Sequence, residues 1–149
     1  VDYMKLAVDT ALKEMKEDNG GPFGAVIVRR NEVVASMGNK VVKDTDPTAH
    51  AELLAVREAC KKLNTLDLSD CIMYTTCAPC PMCMGALLWS GLKKIYYASS
   101  HDVATAQGFS SKHLQDYLDG SDKTIAEVIQ VEDEQRYSYL WTDFSLLKD

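Results

Sequence analysis

Hydrophobic and polar positions follow two periods along this chain. Between residues 2 and 18, Met4, Leu6, Ala7, Ala11, Leu12 and Met15 recur at helical spacing with charges between them, which predicts an amphipathic helix. Asn19-Gly20-Gly21-Pro22 ends it. Two short apolar runs follow, 23–29 (FGAVIVR) and 32–37 (EVVASM), and the polar link Arg30-Asn31 predicts a hairpin between them. Residues 38–48 read as a loop in which Asp46 or Thr48 is placed to cap a helix over 49–63. A third strand is expected at 71–76, a helix at 81–89 and a fourth strand at 94–98. Residues 99–112 read as a polar, glycine-containing loop. A short helix over 112–119, a fifth strand over 124–131 (TIAEVIQV) and a closing helix over 132–147 complete the pattern. Strands alternating with helices around a hairpin predict an α/β fold of three layers, α/β/α, on one mixed five-stranded sheet. No repeat, low-complexity tract or linker interrupts it, so residues 1–149 are read as a single domain.

Charge and cysteine content narrow the possible roles. The chain carries 22 acidic against 16 basic side chains, a formal net charge of −6. That balance argues against a protein that lives on phosphate backbones or anionic membranes, and nucleic acid is not an expected partner. No apolar run approaches the roughly 20 residues of a membrane span. The first dozen residues lack the unbroken apolar region of a signal peptide, although a chain that begins at Val1 leaves an upstream targeting segment open. Three of the five cysteines fall in Cys77-Ala-Pro-Cys80-Pro-Met-Cys83. Disulfide-built domains spread their cysteines, whereas this clustering points to a reduced, cytoplasmic protein with a metal site. Cys60 and Cys71 lie in apolar patterns and are expected to pack in the core. His101 and His113 are expected in solvent, with His101 a minor candidate for the site.

The chemistry concentrates in two segments, His50-Ala51-Glu52 and, about 30 residues later, Pro79-Cys80-Pro81-Met82-Cys83. H-x-E followed by P-C-x-x-C is the signature of zinc-dependent nucleobase deaminases. One neutral imidazole and two thiolates balance the charge of Zn2+, and three protein ligands leave a fourth position for water. Cys80 is expected at a helix cap with Pro81 after it, and His50 in the first turn of its own helix. Free backbone N–H groups and the positive end of the helix dipole there favour thiolates. Glu52, two residues beyond the first ligand, is placed to move protons between a metal-activated water, a ring nitrogen and a departing ammonia. Two other readings compete. A closed Cys3His structural zinc module would recruit Cys77, but it leaves Glu52 without a role. A thioredoxin-like redox pair would make two Cys-x-x-Cys pairs compete for Cys80.

These residues resemble the cytidine-deaminase superfamily, and within it the guanine deaminases of bacteria and the guanosine deaminases of plants. The likeness runs from about Tyr3 to Phe144. It is carried by Gly20-Gly-Pro-Phe-Gly-Ala-Val-Ile-Val28, Asp46-Pro-Thr-Ala-His-Ala-Glu52, Cys77-Ala-Pro-Cys-Pro-Met-Cys-Met-Gly-Ala86 and Ala106-Gln-Gly-Phe109. The resemblance implies a five-stranded mixed sheet flanked by helices, zinc held by His50, Cys80 and Cys83, and proton transfer by Glu52. It implies that Asn39 hydrogen-bonds the purine ring, that Phe23 packs on it and that the peptide at Ala51 lines the pocket. It also implies a homodimer in which the C-terminal segment crosses to cover the partner's site. The expected reaction is hydrolytic deamination of guanine or guanosine to xanthine or xanthosine and ammonia. Two departures bear on the substrate. The family's late-loop aspartates are Ser110 and Ser111 here, with Ser111 the candidate substrate contact, and this opens cytidine, adenine or another amino-heterocycle as an alternative. The bacterial enzymes end in an aromatic residue that enters the pocket, whereas the given sequence stops at Leu147-Lys148-Asp149, with that residue truncated or absent. Tyr137, Tyr139, Trp141 or Phe144 could cover the site instead, although core or dimer packing is the first expectation for each. Editing of tRNA adenosine is a further alternative, disfavoured by the scarcity of adjacent basic residues.

Overall fold

The computed structural model describes residues 1–131 and 134–148. Strands β1 (Gly24–Arg29) and β2 (Glu32–Gly38) form the expected hairpin. Arg30 and Asn31 have φ of 51° and 64°, the left-handed pair of a two-residue turn whose twist matches that of the strands. Strands β3 (Cys71–Cys77) and β4 (Ile95–Ser99) complete a sheet of order β2-β1-β3-β4. β1 runs antiparallel to both of its neighbours, and β3 pairs with β4 in parallel. A parallel pair needs a crossover, which helix α4 (Pro81–Trp89) supplies.

β1 is an uninterrupted apolar run because both of its faces are covered. Ala25 and Ile27 face a core shared with helix α3 (Ala51–Leu63), Met73 of β3 and Leu87 of α4. Val26 and Val28 face the other side, against Ala7 of helix α1 (Tyr3–Glu17). The result is the expected α/β/α layering. Ala51, Ala55 and Ala59 recur every fourth residue on α3 and are fully buried, so methyl groups alone separate this part of the helix from its neighbours. Across the sheet, α1 comes just as close. A Cβ on Gly24 would meet the carbonyl oxygen of Ala7 at 2.1 Å. Asp2 caps α1 by accepting from the Lys5 N–H at 2.9 Å. Asn64 ends α3 in the left-handed conformation, with the Thr65 N–H donating to the Cys60 carbonyl.

The chain divides into two compact units, Val1–Gln115 and Asp116–Asp149. Within the first, the loop expected at 38–48 contains a single helical turn, α2 (Val41–Asp44). The loop expected at 99–112 contains helix α5 (His101–Ala106), whose cap Ser100 accepts from the Val103 N–H. Helix α6 (Lys112–Leu118) falls where the sequence places it. Among the described residues the sheet has four strands, not five: residues 124–131 are irregular and leave Val128 and Ile129 exposed. Alternating apolar residues mark a segment able to bury one face, but a strand also needs neighbouring backbone to bond, and the sheet ends at β4. The closing helix is shorter than expected. A 3-10 turn over Glu134–Tyr137 precedes helix α7 (Tyr139–Leu147), and residues 132 and 133 lie outside the described residues. Among the described residues, no helix is long and apolar enough to cross a membrane.

The two close approaches give a paired stability test. Gly24→Ala drives a methyl into α1 and should cost about 3 kcal/mol in urea unfolding, the upper end for overpacking. Gly85→Ala in α4 meets nothing within 4 Å and should stabilise by up to about 1 kcal/mol.

Candidate active site

The site begins with two helix caps. His50 caps α3 and Cys80 caps α4, each in extended backbone, with φ/ψ of −72°/150° and −68°/168°. Neither side chain is spent on capping, so both are free for other chemistry. His50 thus stands one residue before the helical turn expected for it. Asp46 and Thr48 do not cap α3 either. The Asp46 carboxylate accepts from the Thr48 N–H and hydroxyl at 2.9 and 2.7 Å, closing a local turn. Pro81 opens the first turn of α4, where a missing N–H costs nothing, and Cys83 lies in the same turn, fully buried.

These helix starts converge. The Nδ1 of His50 lies 3.7 Å from the Cys80 sulfur and 3.5 Å from that of Cys83, and all three donor atoms lie within 4.8 Å of one another. A tetrahedral zinc with ordinary Zn–S and Zn–N bonds sets its sulfur and nitrogen ligands about 3.6 Å apart. The donor set and its spacing therefore fit zinc, with one coordination position left for water. Cys77 falls outside the cluster. It ends β3, and its thiol points to the Ser100 carbonyl at 3.9 Å. The closed four-ligand arrangement lacks its fourth member.

The electrostatics favour a cation at this point. A hydrogen bond from the Cys83 thiol and a second from His50 hold Cys80 down to about 4, a thiolate at neutral pH. The same thiolate raises His50 and, together with burial, keeps the proton on Cys83. Two sulfurs sharing one proton are ready to exchange it for a metal. Glu52 sits in the first turn of α3 at 6% exposure, and burial pushes its carboxyl up to about 7. A buried carboxyl near neutrality can both take and give a proton.

The remaining expected residues are distributed around this centre. Ala51 is buried between the ligand and the carboxylate. Asn39 is nearly buried, with its side-chain oxygen accepting from the N–H groups of Val41 and Gly21. Phe23 meets Phe109 edge to face, ring centres 5.0 Å apart. Phe109 ends the Ala106-Gln-Gly-Phe109 segment that carries the resemblance, and Gly108, with φ of 92°, turns the loop beneath it. A cavity of about 300 Å³ opens beside these two rings, lined also by Leu12, Met15, Cys77 and Val103. Its lining includes none of His50, Glu52, Cys80 or Cys83, so it is a neighbouring groove and not the metal pocket itself. The Ser110 hydroxyl accepts from the Lys112 N–H at 3.2 Å, and that of Ser111 accepts from the Gln115 amide at 3.3 Å. Both serines are thus engaged at the start of α6. His101 is exposed at the start of α5, and Cys71 is buried in the core.

Residues 1–99 match the cytidine and deoxycytidylate deaminase zinc-binding region, and the chain belongs to that family. A guanine deaminase of Bacillus subtilis is 44% identical over 117 residues, covering 78% of this chain and 75% of that protein. A crystal structure of guanine deaminase from the same organism superposes with a TM-score of 0.84 at 37% identity, covering 95% of this chain and 92% of that one. A structure of guanine deaminase from Nitrosomonas europaea gives a TM-score of 0.69 at 34% identity, covering 72% and 63%. A tRNA-specific adenosine deaminase of Aquifex aeolicus is 41% identical over 97 residues, 65% of this chain and 64% of that protein.

Metal analysis of single variants tests the ligand set. Cys80→Ser and Cys83→Ser should each lose stoichiometric zinc, whereas Cys77→Ser should retain one zinc per chain.

Proposed function

We propose that this chain is a zinc-dependent hydrolase that replaces the exocyclic amino group of an aminopurine by oxygen, with guanine the first candidate. Water and guanine give xanthine and ammonia. The observation that carries the reading is a buried Glu52 two residues from a cluster of three ligands rather than four. Kinship with guanine deaminases in two organisms supports guanine as the substrate.

His50, Cys80 and Cys83 hold the metal in this reading. Zinc held there would supply a water acidic enough to serve as the nucleophile near neutral pH. Glu52 carries one proton of the attacking water to the ring nitrogen and the second to the amino group as the C–N bond breaks, so that it leaves as ammonia. Asn39 and Phe23 orient the purine, the first by its amide and the second by its ring face, while the Ala51 peptide lines the pocket. Ser111 offers the late loop's hydroxyl contact in place of a carboxylate. The free base and the nucleoside are both candidates, and the serines favour including other amino-heterocycles in any test. Residues 1–149 act as one deaminase domain. Five free cysteines, two of them needed as thiolates, suit a reducing compartment, and we place the protein in the cytoplasm.

The proposed assembly is a homodimer with exchanged C-terminal segments. Support comes from apolar side chains left exposed at residues 128, 129, 141 and 147, and from Tyr96 and Tyr97 exposed on β4, where the sheet ends. Light scattering should give twice the chain mass, and a monomer at micromolar concentration would exclude this assembly.

The function is tested by ammonia release from guanine, guanosine, cytosine, cytidine, adenine and adenosine. Guanine or guanosine should be turned over fastest, and turnover of cytidine or adenine instead would replace the proposed substrate. Glu52→Ala should keep its zinc and lose activity by at least a hundredfold. Full activity in that variant would remove the proton-transfer role. A salt-sensitive gel shift with tRNA would revive the editing alternative.

A further inference from the structure

An ion pair outside the metal cluster is placed where stability does not account for it. Lys40 Nζ lies 2.5 Å from Glu14 Oε1, with the two side chains only 20% and 15% exposed. The second carboxylate oxygen, Oε2, is buried without a geometric hydrogen bond, and Asp18, paired with Lys43 at 3.1 Å, lies 3.9 Å from Lys40 Nζ. Removing two charges from water largely offsets their attraction, and an orphaned acceptor adds to the cost. The fold also clears space for this pair. A Cβ on Gly38 would stand 2.0 Å from Glu14 Cγ, and one on Gly20 would stand 3.1 Å from Glu14 Cβ.

Asn39 stands at the centre of the segments that Glu14 holds. The Glu14 carbonyl accepts from the Gly20 N–H at 3.0 Å, fixing the loop after α1, while its carboxylate holds Lys40 beyond β2. From these two segments, the Gly21 and Val41 N–H groups converge on Asn39 Oδ1 at 3.5 and 3.2 Å. The Asn39 N–H donates to the Phe23 carbonyl at 3.1 Å. Lys40 also reaches the metal side, because its own N–H donates to the carbonyl of Ala49, the residue before His50. With Oδ1 taken by two backbone donors, the amide can turn only one way, and Nδ2 is the group left to donate outward.

We propose that the Glu14–Lys40 pair is a positioning device that orients the Asn39 amide, so that its Nδ2 donates to an acceptor nitrogen or oxygen of the substrate ring. The inference rests on the aminopurine reading above and names how that substrate is recognised. Glu14 and Lys40 touch no reacting atom. They act through Asn39, on the binding of substrate and transition state alike, so their loss raises KM and leaves kcat unchanged.

The test compares Lys40→Met, Glu14→Gln, the double variant and Lys40→Arg in the zinc-loaded full chain. Lys40→Met should raise KM for the best aminopurine roughly tenfold, as for one misplaced hydrogen bond, with kcat within about twofold. Glu14→Gln should do the same, the double variant should be no worse than either single one, and Lys40→Arg should restore KM. Amide exchange at Gly21 and Val41 should lose protection in Lys40→Met, while Leu54 and Met84 at the two metal helices keep theirs. Unchanged KM with lost protection, or unchanged protection at Gly21 and Val41, overturns the proposal. So does loss of zinc together with protection throughout the chain, which would make the pair a general structural element. If the wild-type protein turns over no aminopurine, the functional reading fails by itself, and the exchange measurement alone decides whether the pair sets the Asn39 amide.

Discussion

A tetrahedral metal site requires its ligand atoms to meet within a few ångströms, and here they arrive from two different helices. His50 and Cys80 occupy equivalent places, each the last extended residue before a helix that packs in the same layer. For their side chains to meet, α3 and α4 must begin close together at one end of the sheet. The β3–α4–β4 crossover fixes the start of α4 just beyond the C-terminal end of β3. The alanine face of α3 fixes its height over β1 and β2. Moving either helix by one turn would carry its ligand about 5 Å away, beyond any bond to a shared ion.

The same geometry organises the charge. Two sulfurs and an imidazole sit where two sets of unpaired backbone N–H groups begin, which lowers the cost of holding negative charge in a buried place. Glu52 shares that first turn, and its own backbone N–H favours the anion, but burial outweighs it. It lies within α3 and is closed off from water, so its neutral form gains at the expense of its anion. One short segment therefore carries a metal ligand and a proton-accepting group with opposite electrostatic needs. A single intervening alanine separates them.

Much of this was legible in the sequence because it is local. The strands of the hairpin, the helix start at Pro81 and the metal ligands all follow from spacings of a few residues. Periodicity also found α1 and α3 within two residues of their limits. Other features depend on partners distant in sequence. Residues 124–131 have the composition of a strand but no neighbouring strand in the four-stranded sheet, so pattern alone overstated them. The single turn of α2 and the six residues of α5 are too short for a hydrophobic period to register. The cap position falls at His50, without a side-chain cap bond, while Asp46 spends its carboxylate on Thr48. Asn39 came from family resemblance. The surroundings of its amide came from Gly21, Lys40 and Val41, which no motif connects.

The alanine stripe has a consequence for descent. Ala51, Ala55 and Ala59 leave no slack beneath α3, so a larger residue at any of them would lift the ligand and the carboxylate together. Divergence of such a protein toward new substrates must therefore be written elsewhere. Part of the 108–111 loop has that freedom: Phe109 and Ser110 are exposed, although a φ of 92° holds position 108 to glycine. The chain thus separates an inherited reaction, held rigid by methyl groups, from a specificity that can drift at little structural risk.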